Sequence, residues 1–379
     1  MLTRSSPART ARTTTGQSSP YGRIKALMNI PRHIIVIGAG IAGLTAAFRA
    51  KAGGARVTVL EASGSIGGKL HTRHLHGFLV EEAANGWLHN NGVTAALCAE
   101  VNIGSAVVTA NTNAKRRFLV HKGQLRELPN NPLKLMTSNL LSIGGRMRLA
   151  REPFVTARRG RTDESVAELA RRRVGEEALQ TLVDPMVTGI YAGDPAKLSV
   201  GATYPKLAAL EQQHGSLVRG MMAAQKQRGE SADAVPDQRS MESLHRGMST
   251  LCDALAAQLD DVRLDTAAKT IEKRGERYSV HLENEALDCD RVILAAPAYA
   301  SADLVRALDE TLATELAAIV YNAVSVVALG YRKNEVSRLA GFGFLAPFKE
   351  NRRLLGTLID SNVFPNRAPN DYVLTRTMV

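Results

Sequence analysis

Residues 33–63 read HIIVIGAGIAGLTAAFRAKAGGARVTVLEAS. The run Ile34–Ile37 is apolar and mostly β-branched without alternation, as in a strand buried on both faces of a parallel sheet. Gly38, Gly40 and Gly43 follow as GxGxxG, and LTAAFRAKA then has helical character up to the doublet Gly53–Gly54. Such glycines allow a tight strand-to-helix turn and let backbone amides approach a pyrophosphate at the positive end of the helix. The second strand, ARVTVL, ends at Glu61, 18 residues after Gly43. A carboxylate there is placed to accept hydrogen bonds from an adenosine ribose and repels a 2′-phosphate. One βαβ unit that binds a dinucleotide therefore opens an α/β fold with a Rossmann-like parallel sheet.

Immediately downstream, SIGGKLHT carries Gly67, Gly68 and Lys69. A second glycine turn so close to the ribose carboxylate brings another backbone segment towards the cofactor, with a lysine able to reach phosphates. From about residue 113 to 224 helical periodicity dominates, as in ESVAELARRRVGEEALQTLV, and 15 basic against 5 acidic residues lie between Lys115 and Arg173. Beyond this, ESLHRGMSTLCDALAAQL reads as a turn and helix, KTIEKRGERYSVHLE as short alternating strands, and DRVILAAP as a buried strand that resumes the parallel sheet. SVVALGYR, GFGFLAP, LLGTLID and YVLTRTMV suggest antiparallel strands. The expected division is a basic disordered tail over 1–27, with translation starting at Met1 or at Met28, and a dinucleotide-binding domain from 28–92 and 240–300. A second domain from 93–115 and 301–379 and a helical insert over 116–239 complete it.

Of 379 residues, 45% are apolar and 22% charged, which argues against a disordered chain, a collagen repeat or a coiled coil. Lys and Arg number 48 against 36 Asp and Glu, a net +12 that favours polyanions, acidic lipid surfaces or carboxylate-rich ligands. The apolar stretches 34–48 and 317–331 are too short for a confident membrane span, so any membrane contact is expected to be peripheral. Cys98, Cys252 and Cys289 are too few and too scattered for a disulfide framework and suit a cytosolic protein. His71, His74 and His76 lack the cysteine or carboxylate partners a metal site needs, so no metal is expected. With 4% aromatic residues and no groove-reading module, neither is nucleic acid.

GxGxxG, then Glu, then GG with a following basic residue resembles the flavin amine oxidase and carotenoid desaturase superfamily, although Ser65 stands where an arginine is usual. The segments GFLVEEAANGWL, KRRFLVHKGQLRELP, DPMVTGIYAGDPAKLSVGATYP and LLGTLIDSNVFPNRAP narrow the resemblance. They are similar to the oxygen-dependent, FAD-containing protoporphyrinogen oxidase family, in family order across nearly all the chain. The resemblance makes the first domain FAD-binding, the second the substrate domain and the insert a membrane-associating region. The resemblance implies FAD as cofactor, with phosphates on Gly38, Ala39, Gly40, Ile41, Ala42 and Gly43 and the ribose on Glu61 and Ala62. Gly67, Gly68, Lys69 and the turn Ala83, Ala84, Asn85, Gly86 would lie along the flavin and phosphates, with Ala83 replacing a usual glycine; Ala268 would touch the cofactor through its backbone. Arg117 matches an arginine placed against a substrate propionate, and guanidinium suits a carboxylate because it offers two parallel N–H donors.

The implied reaction is hydride removal from a porphyrinogen methylene bridge to the flavin, repeated until the macrocycle is aromatic, with dioxygen as acceptor and hydrogen peroxide as product. No catalytic side chain beyond the flavin is expected. The implied setting is cytoplasmic, peripheral on the inner face of a membrane, with a homodimer left open. Alternatives are a coproporphyrinogen III oxidase, a generic amine oxidase or desaturase, and a non-catalytic flavin- or porphyrin-binding remnant. The last is included because the chain stops inside an apparent strand at Val379, where family members continue into a glycine-rich segment and final helix over the FAD. Weak FAD affinity and poor stability are the corresponding expectations.

Overall fold

A computed structural model describes residues 32–89, 92–129, 132–158, 163–230, 241–337 and 340–379. The tail over 1–27 and the start at Met28 lie outside them. The chain divides into two compact units, Met1–Ser65 with Leu259–Leu316, and Ile66–Gln258 with Ala317–Val379.

In the first unit, β1 (His33–Ile37), helix α1 (Ile41–Ala52) and β2 (Arg56–Leu60) form the βαβ unit read from the sequence. The sheet has four strands, all parallel: Val262–Arg263, β2, β1 and Arg291–Leu294, with Ile34 opposite Arg291. Residues 35 and 36 are fully buried, as the unbroken apolar run requires. A three-stranded antiparallel sheet, Thr270–Arg274, Arg277–His281 and Ala286–Cys289, contributes Ile271, Val280 and Cys289 to the core that also holds Ile35, Ile37 and Leu60.

The second unit is built on a six-stranded sheet in the order Val326–Arg332, Tyr372–Met378, Gly356–Leu358, Gly343–Leu345, Arg117–His121 and Gln124–Glu127. All neighbours are antiparallel except Gly343–Leu345 with Arg117–His121. The stretch 116–239, read as helical, thus opens with a hairpin. Its sequence explains why: RFLVH and QLRE flank Lys122–Gly123, whose φ values of 52° and 73° make the two-residue turn favoured between twisted strands. Helices begin at Pro132 and include Ile143–Ala150, Val166–Arg173, Asp184–Tyr191 and Pro205–His214. ESL, expected as part of a turn, lies within the strand Met241–Leu244, which pairs with Trp87–Leu88 and Val107–Thr109 ahead of the helix Ser249–Ala256.

The basic helical region is organised from inside. Arg173 is fully buried; its Nε lies 3.2 Å from Glu152 Oε1 and 3.3 Å from Glu211 Oε1, and its Nη1 donates to the Val155 carbonyl at 2.7 Å. Glu152, also fully buried, accepts from Ser216 Oγ and the amides of Leu217 and Val218. Arg172 joins Glu164 and Glu211, each at 2.7 Å. Several of the positive charges counted in the sequence are therefore internal ties.

Candidate functional site

The glycine turn of the first unit has geometry that separates packing from ligand access. A Cβ on Gly43 would lie 1.8 Å from the Gly38 carbonyl oxygen, and one on Gly38, whose φ is 107°, would lie 2.9 Å from the Ala295 carbonyl. Both are needed for the strand and helix to approach. Gly40 differs: a Cβ there would meet nothing within 4 Å. It caps α1 with no side-chain hydrogen bond, and the first turn contains no acid, so no side chain of the turn competes for the helix's leading amides. Ala42, in that turn, is exposed.

Glu61 stands directly after β2. Its Oε1 accepts from the amide and hydroxyl of Ser63 at 2.9 and 2.8 Å, and its Oε2 accepts from the Ala39 amide at 2.8 Å. The carboxylate is thus held against the glycine turn with acceptor capacity left on Oε2. Ala62 is exposed beside it, and Ala268 packs against the cluster that contains Ile37 and Leu60, the residues before Gly38 and Glu61. An open cradle, uncapped helix amides and a fixed carboxylate together fit the adenosine diphosphate part of a dinucleotide.

In the second unit, Gly67 and Gly68 have φ of 108° and 58°, and a Cβ on Gly67 would lie 2.7 Å from the Leu70 carbonyl oxygen. Lys69 is exposed. In the Ala83–Gly86 turn, Ala83 is exposed and Asn85 buried, with Asn85 Oδ1 lacking a partner among the described residues. A Cβ on Gly86 would come within 2.2 Å of the Glu242 carbonyl oxygen, so that glycine serves packing.

Arg117 starts a strand of the six-stranded sheet, its side chain exposed and its guanidinium carbon 5.1 Å from the centre of the Phe342 ring. Among the described residues it makes no ion pair. Arg116, the adjacent candidate, is tied to Glu127 at 2.6 Å and holds that carboxyl below its ordinary range. Phe342 escaped the sequence reading because its apposition to Arg117 depends on the single parallel strand pair. Two residues on, Phe344 lines a hollow of about 460 Å³ with Tyr331, Lys333, Thr357, Ile359 and Val373. Also missed were buried Arg367 and Arg376, with Glu81 and Asp360; the only available signal was the inward parity of Arg376 with Leu374.

His71 lies 3.1 Å from Glu82, and His74 and His76 are exposed. No group of His, Cys, Asp or Glu among the described residues is arranged to hold a metal ion.

The sequence profile of the flavin containing amine oxidoreductases matches residues 41–379. The chain belongs to that family. It is an oxidoreductase, its cofactor is a flavin, and the glycine turn with Glu61 fits the dinucleotide form, FAD. The family member from Arabidopsis thaliana named protoporphyrinogen oxidase 1, chloroplastic, is 30% identical over 369 residues, which is 90% of this chain and 68% of the relative's length. Coproporphyrinogen III oxidase of Bacillus subtilis is 29% identical, covering 92% of this chain and 77% of its own. Among solved structures, a protein from Exiguobacterium sp. 255-15 superposes with a TM-score of 0.80 at 24% identity, covering 92% of this chain and 77% of that one. The shared fold is thus the mixed α/β arrangement of this oxidoreductase family.

Proposed function

We propose that this flavin oxidoreductase oxidises protoporphyrinogen IX to protoporphyrin IX, with dioxygen as final acceptor. The observation that carries the reading is the 30% identity along nine-tenths of the chain to a protoporphyrinogen oxidase. Arg117, exposed and without an anionic partner among the described residues, supports it. The macrocycle loses six electrons and six protons, and three dioxygen molecules become three hydrogen peroxide molecules. The flavin, when bound, supplies the two-electron acceptor for each round.

In this reading the amides of Gly38–Gly43 and the Glu61 carboxylate hold the pyrophosphate and ribose of FAD, with Ala62 and the Ala268 backbone beside them. Gly67, Gly68 and Lys69 meet the phosphates. The Ala83–Gly86 turn lies along the flavin, where Asn85 Oδ1 offers a buried acceptor. Arg117 pairs with a propionate, and the hollow beside Phe344 falls in the size range of small-molecule sites and is lined largely by apolar groups. Protein groups thus orient the substrate and exclude water; no side chain is required as a nucleophile.

No helix among the described residues is long and apolar enough to cross a membrane. Ile143, Met147 and Phe154 are exposed on a basic part of the helical region that includes Arg151, which supports peripheral contact with the inner face of an anionic membrane. The Bacillus subtilis relative favours a second reading, oxidation of coproporphyrinogen III by the same site.

The test is to load the chain with FAD, add each porphyrinogen anaerobically, admit air, and follow porphyrin fluorescence and peroxide. Enzyme-dependent fluorescence with three peroxides per porphyrin supports the proposal; preference for coproporphyrinogen selects the second reading. Bound flavin with neither product overturns both.

A further inference from the structure

The Ala83–Gly86 turn has little of its own to hold it. It contains two alanines and a glycine and lies outside any helix or strand, and Ala83 is exposed. Apart from the Ala84 amide, which donates to the Lys69 carbonyl at 3.4 Å, its hold comes from the neighbouring strand Tyr372–Met378 and from Asp360 at the start of the helix Asp360–Val363. Arg376, 2% exposed, donates from Nη1 to the carbonyl of Glu81 at 2.7 Å and to that of Ala83 at 3.0 Å. Its Nε donates to Asp360 Oδ2 at 2.5 Å, and Asp360 Oδ1 accepts from Asn85 Nδ2 at 3.3 Å. Arginine and aspartate thus grip the turn at two points, the carbonyls leading into it and the amide side chain within it.

The burial of this pair is informative. Asp360 is fully buried, and Arg367 adds a second guanidinium 3.5 Å from the fully buried Glu81 while donating to Ser243 Oγ at 2.6 Å. Burying such charges costs several kcal/mol of desolvation per ion, which their mutual attraction repays only in part. Apolar residues of similar volume would hold a sheet face as well. They would not hold two backbone carbonyls and the Asp360 carboxylate together, which needs donors in a fixed fork.

We infer that Arg376, oriented by Asp360, is a positioning residue that sets the Ala83–Gly86 turn at the height the flavin requires. The inference rests on the proposed place of that turn along the flavin. Arg376 acts through the turn and touches neither cofactor nor substrate in this account.

The test compares two ligands in the full chain: FAD, and ADP, which occupies only the Gly38–Glu61 half. The double variant Arg376→Met/Asp360→Leu removes the grip without leaving either charge buried alone. It is expected to keep the wild-type far-UV circular dichroism, to bind FAD about 10-fold more weakly, the usual scale for removing a group that orients a ligand contact, and to bind ADP unchanged. The visible spectrum of its bound flavin should also shift, which a merely structural tie would not cause. If the double variant does not fold, the same comparison is read on Arg376→Lys, which keeps the charge but has one nitrogen in place of Nε and Nη1 and so cannot bond Asp360 and the two carbonyls from separate donors. Unchanged FAD affinity in a folded variant, or equal weakening of FAD and ADP, overturns the inference. Ala83→Leu separates this from the underlying reading: if a larger side chain on the exposed face of the turn leaves FAD binding untouched, the turn does not lie along the flavin, whatever Arg376 does.

Discussion

Glu61 accepts the backbone N–H of Ala39 through Oε2 at 2.8 Å, which ties the end of β2 to the middle of the glycine turn. Its other oxygen is occupied by Ser63. Glu61→Gln keeps the shape but gives up the charge-assisted bonds, so FAD affinity is expected to fall about 10-fold, the scale of one hydrogen bond to a charged group. Fluorescence titration of FAD checks this, and wild-type affinity in the variant would remove Glu61 from the site.

The glycines should fail in different ways. Gly43→Ala drives a Cβ into the Gly38 carbonyl and is expected to cost about 1–3 kcal/mol or more of stability through overpacking. Gly40→Ala meets open space and should leave the melting temperature of the apoprotein unchanged while weakening FAD, because in the proposed site the added methyl would lie where the pyrophosphate approaches. Thermal melts with and without FAD separate the two; a Gly40→Ala loss in the apoprotein would contradict the division.

Arg117→Ala should raise KM for the porphyrinogen about 10- to 100-fold, the worth of a charge-assisted hydrogen bond to a carboxylate, with a smaller change in kcat. Arg116→Ala loses only an exposed pair with Glu127 and should change KM little. Steady-state kinetics on both variants decide the matter, and the reverse order would shift the anchor by one residue.

Breaking the interior of the helical region should be costly. Arg173→Met leaves the fully buried Glu152 without its guanidinium and Glu211 with that of Arg172 alone, an expected loss of about 3–5 kcal/mol. Burial pushes the Glu211 carboxyl up, but hydrogen bonds from Arg172 and the Arg158 amide carry it below its ordinary 4.5. Its contribution is therefore complete above pH 4.5 and is lost as pH falls through the lower folded value. Stability measured by urea unfolding should drop across that acid window in the wild type and drop less in Glu211→Gln.

All three cysteines are buried. Burial and the neighbouring Asp253 push Cys252 up to about 12, and burial raises Cys98 and Cys289 as well. At pH 8 the folded chain should react negligibly with Ellman's reagent, and three thiols should appear on denaturation. Rapid labelling of Cys252 in the native state would contradict its packing.

Much of this was legible in the residues. Ile34–Ile37, the three glycines and Glu61 are close in sequence, and their meaning depends on local periodicity and on a turn only glycine can make. That is why the βαβ unit is legible in the residues alone. The resumption of the parallel sheet at Arg291–Leu294 was legible as an unbroken apolar run, although Arg291 is exposed and Val292, Ile293 and Leu294 are only partly buried.

What the residues could not disclose are pairings between distant segments. The hairpin of RFLVH with QLRE is local, its turn outweighed by the helical periodicity that follows, but the parallel partner Gly343–Leu345 lies more than two hundred positions away, and that partner also brings Phe342 to Arg117. Nothing local marks Arg173, Arg367 or Arg376 as internal, because their carboxylates and carbonyls arrive from elsewhere in the chain. Local conformational preference and periodicity therefore set the βαβ unit of this protein, whereas the ion network that holds its turns and helices exists only once the chain has folded, because burial is a property of the assembled structure and not of any one segment.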